Sequence, residues 1–81
     1  MAVVTLRAFA ALRELVGEAH EVEATHVAEL LGQLAAVHGE EFTRRLERST
    51  VVVDDEPVAR DDTTPLPDGA EVVLLPPFAG G

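Results

Sequence analysis

The sequence contains no cysteine and no lysine. The first absence excludes disulfides, thiolate metal sites and cysteine nucleophiles, and it suits a reducing compartment. The second makes all six basic residues arginine, so no side-chain amine is present to attack an activated acyl group. Trp and Tyr are missing as well, yet 47% of the residues are hydrophobic, which is enough aliphatic material for a packed core. No apolar run approaches the ~20 residues of a membrane span, and the N-terminus lacks a basic region followed by a long apolar stretch. These features predict a cytoplasmic protein with no membrane partner.

Positive charge is scarce too. The formal net charge is −9, which argues against nucleic-acid binding, since that rests on neutralising phosphates. A basic protein partner fits better, because complementary fields steer association. Eighty-one residues predict a single domain that buries only ~60–65% of its unfolded surface. There is little room for an enclosed catalytic cleft. The one serine, Ser49, has no histidine beside it, and His20, His26 and His38 lack metal-ligand spacing. No glycine-rich phosphate loop follows a strand. The acidic run Asp54-Asp55-Glu56 reads as a turn, with no second ligand group beside it.

What is present has a clear order. Ala2 to Arg7 reads as a strand. Phe9, Leu12, Leu15 and Val16 then take helical spacing, and Gly17 stops it. Ala19 to Ala24 alternates as a second strand, antiparallel to the first. Thr25 is the expected N-cap of a helix of about 13 residues whose stripe is Val27, Leu30, Leu31, Leu34 and Val37, with Gly39 at its end. Phe42 and Leu46 mark a short helical turn, beside a solvated basic cluster of Arg44, Arg45 and Arg48. Thr50 to Val53 is β-branched and turns tightly through Asp54 to Pro57 into Val58. Leu66 anchors a polar loop in the core. Asp68-Gly69 turns the chain into a last strand, Ala70 to Leu75, with Val72 and Leu74 on one face and Val73 and Leu75 on the other. The small domain has one main helix to cover one sheet face, so Val73 and Leu75 are expected at a partner interface. The plan is α+β, with a sheet of about four to five strands under one main helix.

The chain then runs Pro76-Pro77-Phe78-Ala79-Gly80-Gly81. Two prolines restrict the base of this segment and two glycines leave its tip without side chains. At ~3.3 Å per residue, six extended residues reach roughly 20 Å. Such an arm suits insertion into the narrow active site of another protein. Its reactive group is the carboxylate of Gly81. Adenylation would turn that carboxylate into an electrophile that a thiolate or persulfide can attack.

The segment Phe9-Ala10-Ala11-Leu12-Arg13-Glu14-Leu15-Val16-Gly17, the run Leu66-Pro67-Asp68-Gly69-Ala70-Glu71-Val72 and the ending Leu75-Pro76-Pro77-Phe78-Ala79-Gly80-Gly81 together resemble the small subunit of molybdopterin synthase. More broadly they are similar to the thiamine-pathway sulfur carriers. The resemblance implies a β-grasp, ubiquitin-like domain over residues 1–75 and a flexible tail over residues 76–81. It implies that a ubiquitin-activating-like enzyme adenylates Gly81 with ATP, no cofactor being held by this chain itself. A persulfide enzyme would then supply sulfur to form a thiocarboxylate. Gly80 and Gly81 would carry the chemistry, and Val73, Leu75, Pro76, Pro77, Phe78 and Ala79 would contact the partner. That partner would be the large synthase subunit, in a heterotetramer that transfers sulfur to a pterin precursor of the molybdenum cofactor. Three alternatives remain at the level of sequence: a sulfur carrier for thiazole, cysteine or thionucleoside synthesis, a protein modifier conjugated through Gly81, and a β-grasp interaction domain with an idle tail.

Overall fold

A computed structural model describes residues 2–75. The described elements are β1 (Ala2–Ala8), α1 (Ala10–Val16), β2 (Ala19–Ala24), α2 (Val27–His38), α3 (Glu40–Leu46), β3 (Thr50–Val53), β4 (Glu56–Val58) and β5 (Glu71–Leu75). The five strands form one mixed sheet in the order β2-β1-β5-β3-β4. β1 pairs antiparallel with β2, from Ala2 opposite Ala24 to Arg7 opposite Ala19. It pairs parallel with β5, from Thr5 beside Glu71 to Ala8 beside Leu74. β3 closes the other side of β5 antiparallel, with Thr50 opposite Leu75 and Val52 opposite Val73. This is the β-grasp arrangement that the resemblance implies.

Period-two alternation in the strands decides which face is covered. Ala2, Val4, Leu6 and Ala8 of β1 are buried, as are Val72 and Leu74 of β5 and Val51 of β3. Their side chains meet Leu12 and Val16 of α1, Val27, Leu30, Leu31 and Leu34 of α2, and Phe42 and Leu46 of α3 in one core cluster. Leu66 joins them from the long loop, as its sequence position predicts. The helical cover is thus shared by three helices rather than resting on α2 alone. Phe42 is fully buried and is the largest side chain in the core.

Three local expectations shift. β1 extends through Ala8, and Phe9 is the N-cap of α1 rather than a helical residue. The cap of α2 is His26, not Thr25: the His26 Nδ1 accepts the Glu29 amide at 3.1 Å. Thr25 lies one residue outside and donates its amide to the Glu29 carboxylate, so the reciprocal cap is built around histidine. Val37 is 75% exposed instead of lying in the apolar stripe. In the last turn the inward side passes to Ala35 and His38. Ala35 packs on the core, and the His38 ring stands 6.3 Å from the Phe42 ring. Gly39 then takes φ +73, a left-handed conformation suited to glycine, and redirects the chain into α3.

Candidate functional site

β5 is the middle strand of the five, so its position is fixed from both sides. Phe9 extends the β1 contact by donating its amide to the Leu74 carbonyl at 3.3 Å. At the start of β5 the hairpin turn reaches over: the Asp54 amide donates to the Glu71 carbonyl, and the Glu71 amide donates to Asp54 Oδ1, both at 3.0 Å. Asp54 and Asp55 make that turn with φ +47 and +72, the pair of positive values expected of a type I′ hairpin. Upstream, Asp68 Oδ1 accepts the Val3 amide at 2.8 Å and Gly69 donates to the Val3 carbonyl at 2.8 Å. These contacts hold the strand in register up to Leu75, the last described residue.

The face of β5 that turns away from the helices carries Glu71, Val73 and Leu75, all half-buried. Val73 is flanked by Arg7 on one side and Val52 on the other, and Pro57 follows Val52 outward on β4. Leu75 lies opposite Thr50. The Arg7 guanidinium stands 5.8 Å from the Phe9 ring and 3.5 Å from the Glu71 carboxylate. Both ends of that ion pair are over 40% exposed, so it contributes little to stability and mainly orients Arg7. The result is a small apolar patch of Val52, Pro57, Val73 and Leu75, edged by one cation, with acidic side chains Glu21, Glu23 and Glu71 on the same face.

Sequence reasoning placed Val73 and Leu75 on this face but missed Arg7, Phe9, Val52 and Pro57. The alternation of β1 and β3 carried the face of each residue. The cross-strand register that brings Val52 beside Val73 carried no local signal. Gly80, Gly81, Pro76, Pro77, Phe78 and Ala79, the other expected site residues, lie outside the described residues.

Charge elsewhere is arranged in capping and helix-surface contacts. A hydrogen bond from Arg45, with Arg44 alongside, holds the Glu41 carboxyl below its ordinary range. The Thr25 amide does the same for Glu29, and the Thr64 amide for Asp62. None of these groups lies in the patch around Val73. His20 and His26 act at helix ends, His20 through Nε2 on the Val16 carbonyl at 2.8 Å. Ser49 donates its hydroxyl to the Arg45 carbonyl. Among the described residues no group of three or more His, Asp and Glu could hold a metal ion. No helix among them is long and apolar enough to cross a membrane. The basic cluster is not a simple solvated face: Arg45 is half-buried and ties Glu14, Glu41 and the Ala11 carbonyl together.

Taken together, the central strand, its clamped register and the uncovered face beside it define a β-grasp protein with the fold of the ubiquitin-like sulfur carriers. The model of the ThiS family matches residues 6–81, and the chain belongs to that family. No curated protein matches it in sequence. Solved structures match it in fold. One is the complex of subunits 1 and 2 of molybdopterin-converting factor from Helicobacter pylori, with 28% identity, TM-score 0.72, and 98% of this chain and 99% of that chain covered. Another is the BexX/CysO complex of Amycolatopsis orientalis, with 25% identity, TM-score 0.73, and 96% and 99% covered. A third is small archaeal modifier protein 1 of Methanosarcina acetivorans, with 23% identity, TM-score 0.80, and 100% and 98% covered. That last likeness speaks for the fold alone.

Proposed function

We propose that this chain carries sulfur on Gly81 as the small subunit of molybdopterin synthase. The observation that carries the reading is β5. It is the central strand, it turns Val73 and Leu75 to the face without helices, and it delivers the chain at Leu75 to Pro76-Pro77-Phe78-Ala79-Gly80-Gly81. The likeness to the molybdopterin-converting factor complex supports the choice of pathway. In this reading the body is a handle and Gly81 is the reacting position.

The Gly81 carboxylate attacks the α-phosphate of ATP on an activating enzyme and pyrophosphate leaves. The terminal sulfur of an enzyme persulfide attacks the acyl carbon, and AMP leaves with the bonding electrons. A neighbouring thiol on the donor then attacks the cysteine sulfur of this acyl disulfide, forms a disulfide with it and expels the Gly81 thiocarboxylate with the S–S electron pair. In the large subunit that sulfur would attack a carbon of the pterin precursor and displace an oxygen substituent, and water would then cleave the acyl–sulfur bond, leaving the sulfur on the precursor and Gly81 as the carboxylate. Two such rounds build one dithiolene. A lysine-free carrier cannot acylate its own side chains during these steps.

The second reading is a protein modifier joined to target amines through Gly81, a use to which the Gly80-Gly81 ending is equally suited. Intact-mass analysis of the chain from its native cell separates the two. Replacement of one terminal oxygen by sulfur supports the carrier. An isopeptide adduct on other proteins, with no sulfur gained, overturns it.

A further inference from the structure

Where β1 leaves the sheet and β3 enters it, a groove of about 370 Å³ opens between α1 and α3. Phe9 to Leu12 form one wall, and Arg44, Arg45, Arg48 and Ser49 the other. The lining is mainly apolar. Among the described residues no Asp or Glu lines it, although the chain holds 15 of them and only six arginines. Half of those six stand in this one place. The shape is already formed. Arg45 bridges α3 to α1 through the Ala11 carbonyl at 2.6 Å and the Glu14 carboxylate at 3.1 Å, so its donors are engaged. Phe9 is fixed by the hydrogen bond from its amide to the Leu74 carbonyl. Arg44 pairs with Glu41 yet is 71% exposed. Arg48 is exposed and has no ion-pair partner among the described residues.

These features select the occupant. A small anion would use the arginines and leave the apolar lining uncovered. A purely apolar segment would leave Arg48 without an anion. A second copy of the chain carries the same net charge of −9 and is repelled. A large apolar side chain held between carboxylates satisfies both requirements: the side chain fills the pocket as an anchor, and each guanidinium can take a carboxylate through paired hydrogen bonds. The groove also adjoins the uncovered face of β5. The Phe9 ring lines it, and the Arg7 guanidinium, which flanks Val73, stands 5.8 Å from that ring. A protein seated on Val73 therefore meets the groove at its edge.

We propose that the groove receives an acidic segment of the protein that covers Val73, with one large apolar side chain against Phe9 to Leu12 and carboxylates on Arg44 and Arg48. The sheet face, with Glu21, Glu23 and Glu71, meets basic groups of that same partner. Opposite signs at the two places fix the orientation in which the partner docks. This rests on the reading of the outer face of β5 as a partner surface, and not on sulfur chemistry.

The test uses the full-length chain, labelled with nitrogen-15, and a short peptide that holds one phenylalanine between glutamates. The peptide should shift the amides of Ala10, Ala11, Arg48 and Ser49 saturably. Exchanging its glutamates for lysines, or its phenylalanine for serine, should weaken binding several-fold. So should 1 M salt, where the screening length is ~3 Å, and the paired substitution Arg44→Glu/Arg48→Glu. Unchanged amide shifts elsewhere show that this variant remains folded. If it does not fold, Arg44→Gln/Arg48→Gln takes its place and the same loss is expected. Amides that stay unmoved at millimolar peptide, or a lysine peptide that binds as well, overturn the proposal. So does the same set of shifts on adding unlabelled chain, which would assign the groove to a second copy. No ATP, sulfur donor or large subunit takes part, so a failure here leaves the proposed function standing. A chain that binds the peptide but never gains sulfur overturns the carrier reading alone.

Discussion

Replacing Val73 with Asp separates an interface residue from a core residue. Fully burying a valine is worth ~1.5–3 kcal/mol, and Val73 is already half covered by its neighbours Arg7 and Val52. The new carboxylate would also stand directly beside the Arg7 guanidinium, which offsets part of the loss. Folding should therefore weaken by only about 1 kcal/mol. In the proposed complex the same carboxylate would be pressed into an apolar contact and lose its water, at a cost of ~1–3 kcal/mol or more. A Kd weaker by about fivefold to a hundredfold is expected, each tenfold being about 1.4 kcal/mol. Urea denaturation measures the first quantity and calorimetric titration with the large synthase subunit measures the second. Val72→Asp is the control. Val72 is fully buried between the sheet and the helices, and an unpaired charge there should consume most of a total stability of ~5–15 kcal/mol. If Val73→Asp lost folding stability as severely as it lost affinity, the outer face of β5 would be core and the account of the interface would be wrong.

Phe42→Ala should cost ~3–5 kcal/mol, because nothing else of its size fills the space between α3 and the sheet. Thermal unfolding reads this as a fall in Tm of at least ~12 °C, at ~4–8 °C per kcal/mol for a domain of this length. Asp55→Gly relieves a non-glycine residue at φ +72 and creates an Asp-Gly type I′ turn, so it should raise stability by up to ~1 kcal/mol. The carboxyls of Glu29, Glu41 and Asp62 titrate lower in the folded chain than in the unfolded one. Their stabilisation is complete above the ordinary carboxylate range and is lost as pH falls through and below it. Denaturation midpoints measured across that range should drop on acidification, and Glu41→Gln should flatten the slope.

Much of this architecture could be read from the chain because its elements carry separate periods. Val27, Leu30, Leu31 and Leu34 mark α2 without ambiguity, and the alternation of Val72, Val73, Leu74 and Leu75 assigns both faces of β5. Boundaries were less legible where two residue types compete for one role. Thr25 is the better cap by propensity, yet the His26 ring nitrogen reaches the Glu29 amide first. Val37 fits the stripe by spacing, but the chain turns at Gly39 and the final helical turn presents Ala35 and His38 instead. The patch around Val73 was half visible for a different reason. Face is a local property, whereas the neighbours Arg7, Val52 and Pro57 arrive through long-range register. The groove walled by Phe9 and Arg48 was invisible, since its two sides lie some forty residues apart in the chain.

The central claim is that Gly81 bears the sulfur. The most direct measurement is the intact mass of the full-length chain after incubation with ATP, an activating enzyme and a persulfide donor, followed by fragmentation of residues 76–81. The account predicts a gain equal to one oxygen exchanged for sulfur, located on Gly81 and absent when ATP is withheld. A mass that never changes, or a sulfur located anywhere else in the chain, would contradict it.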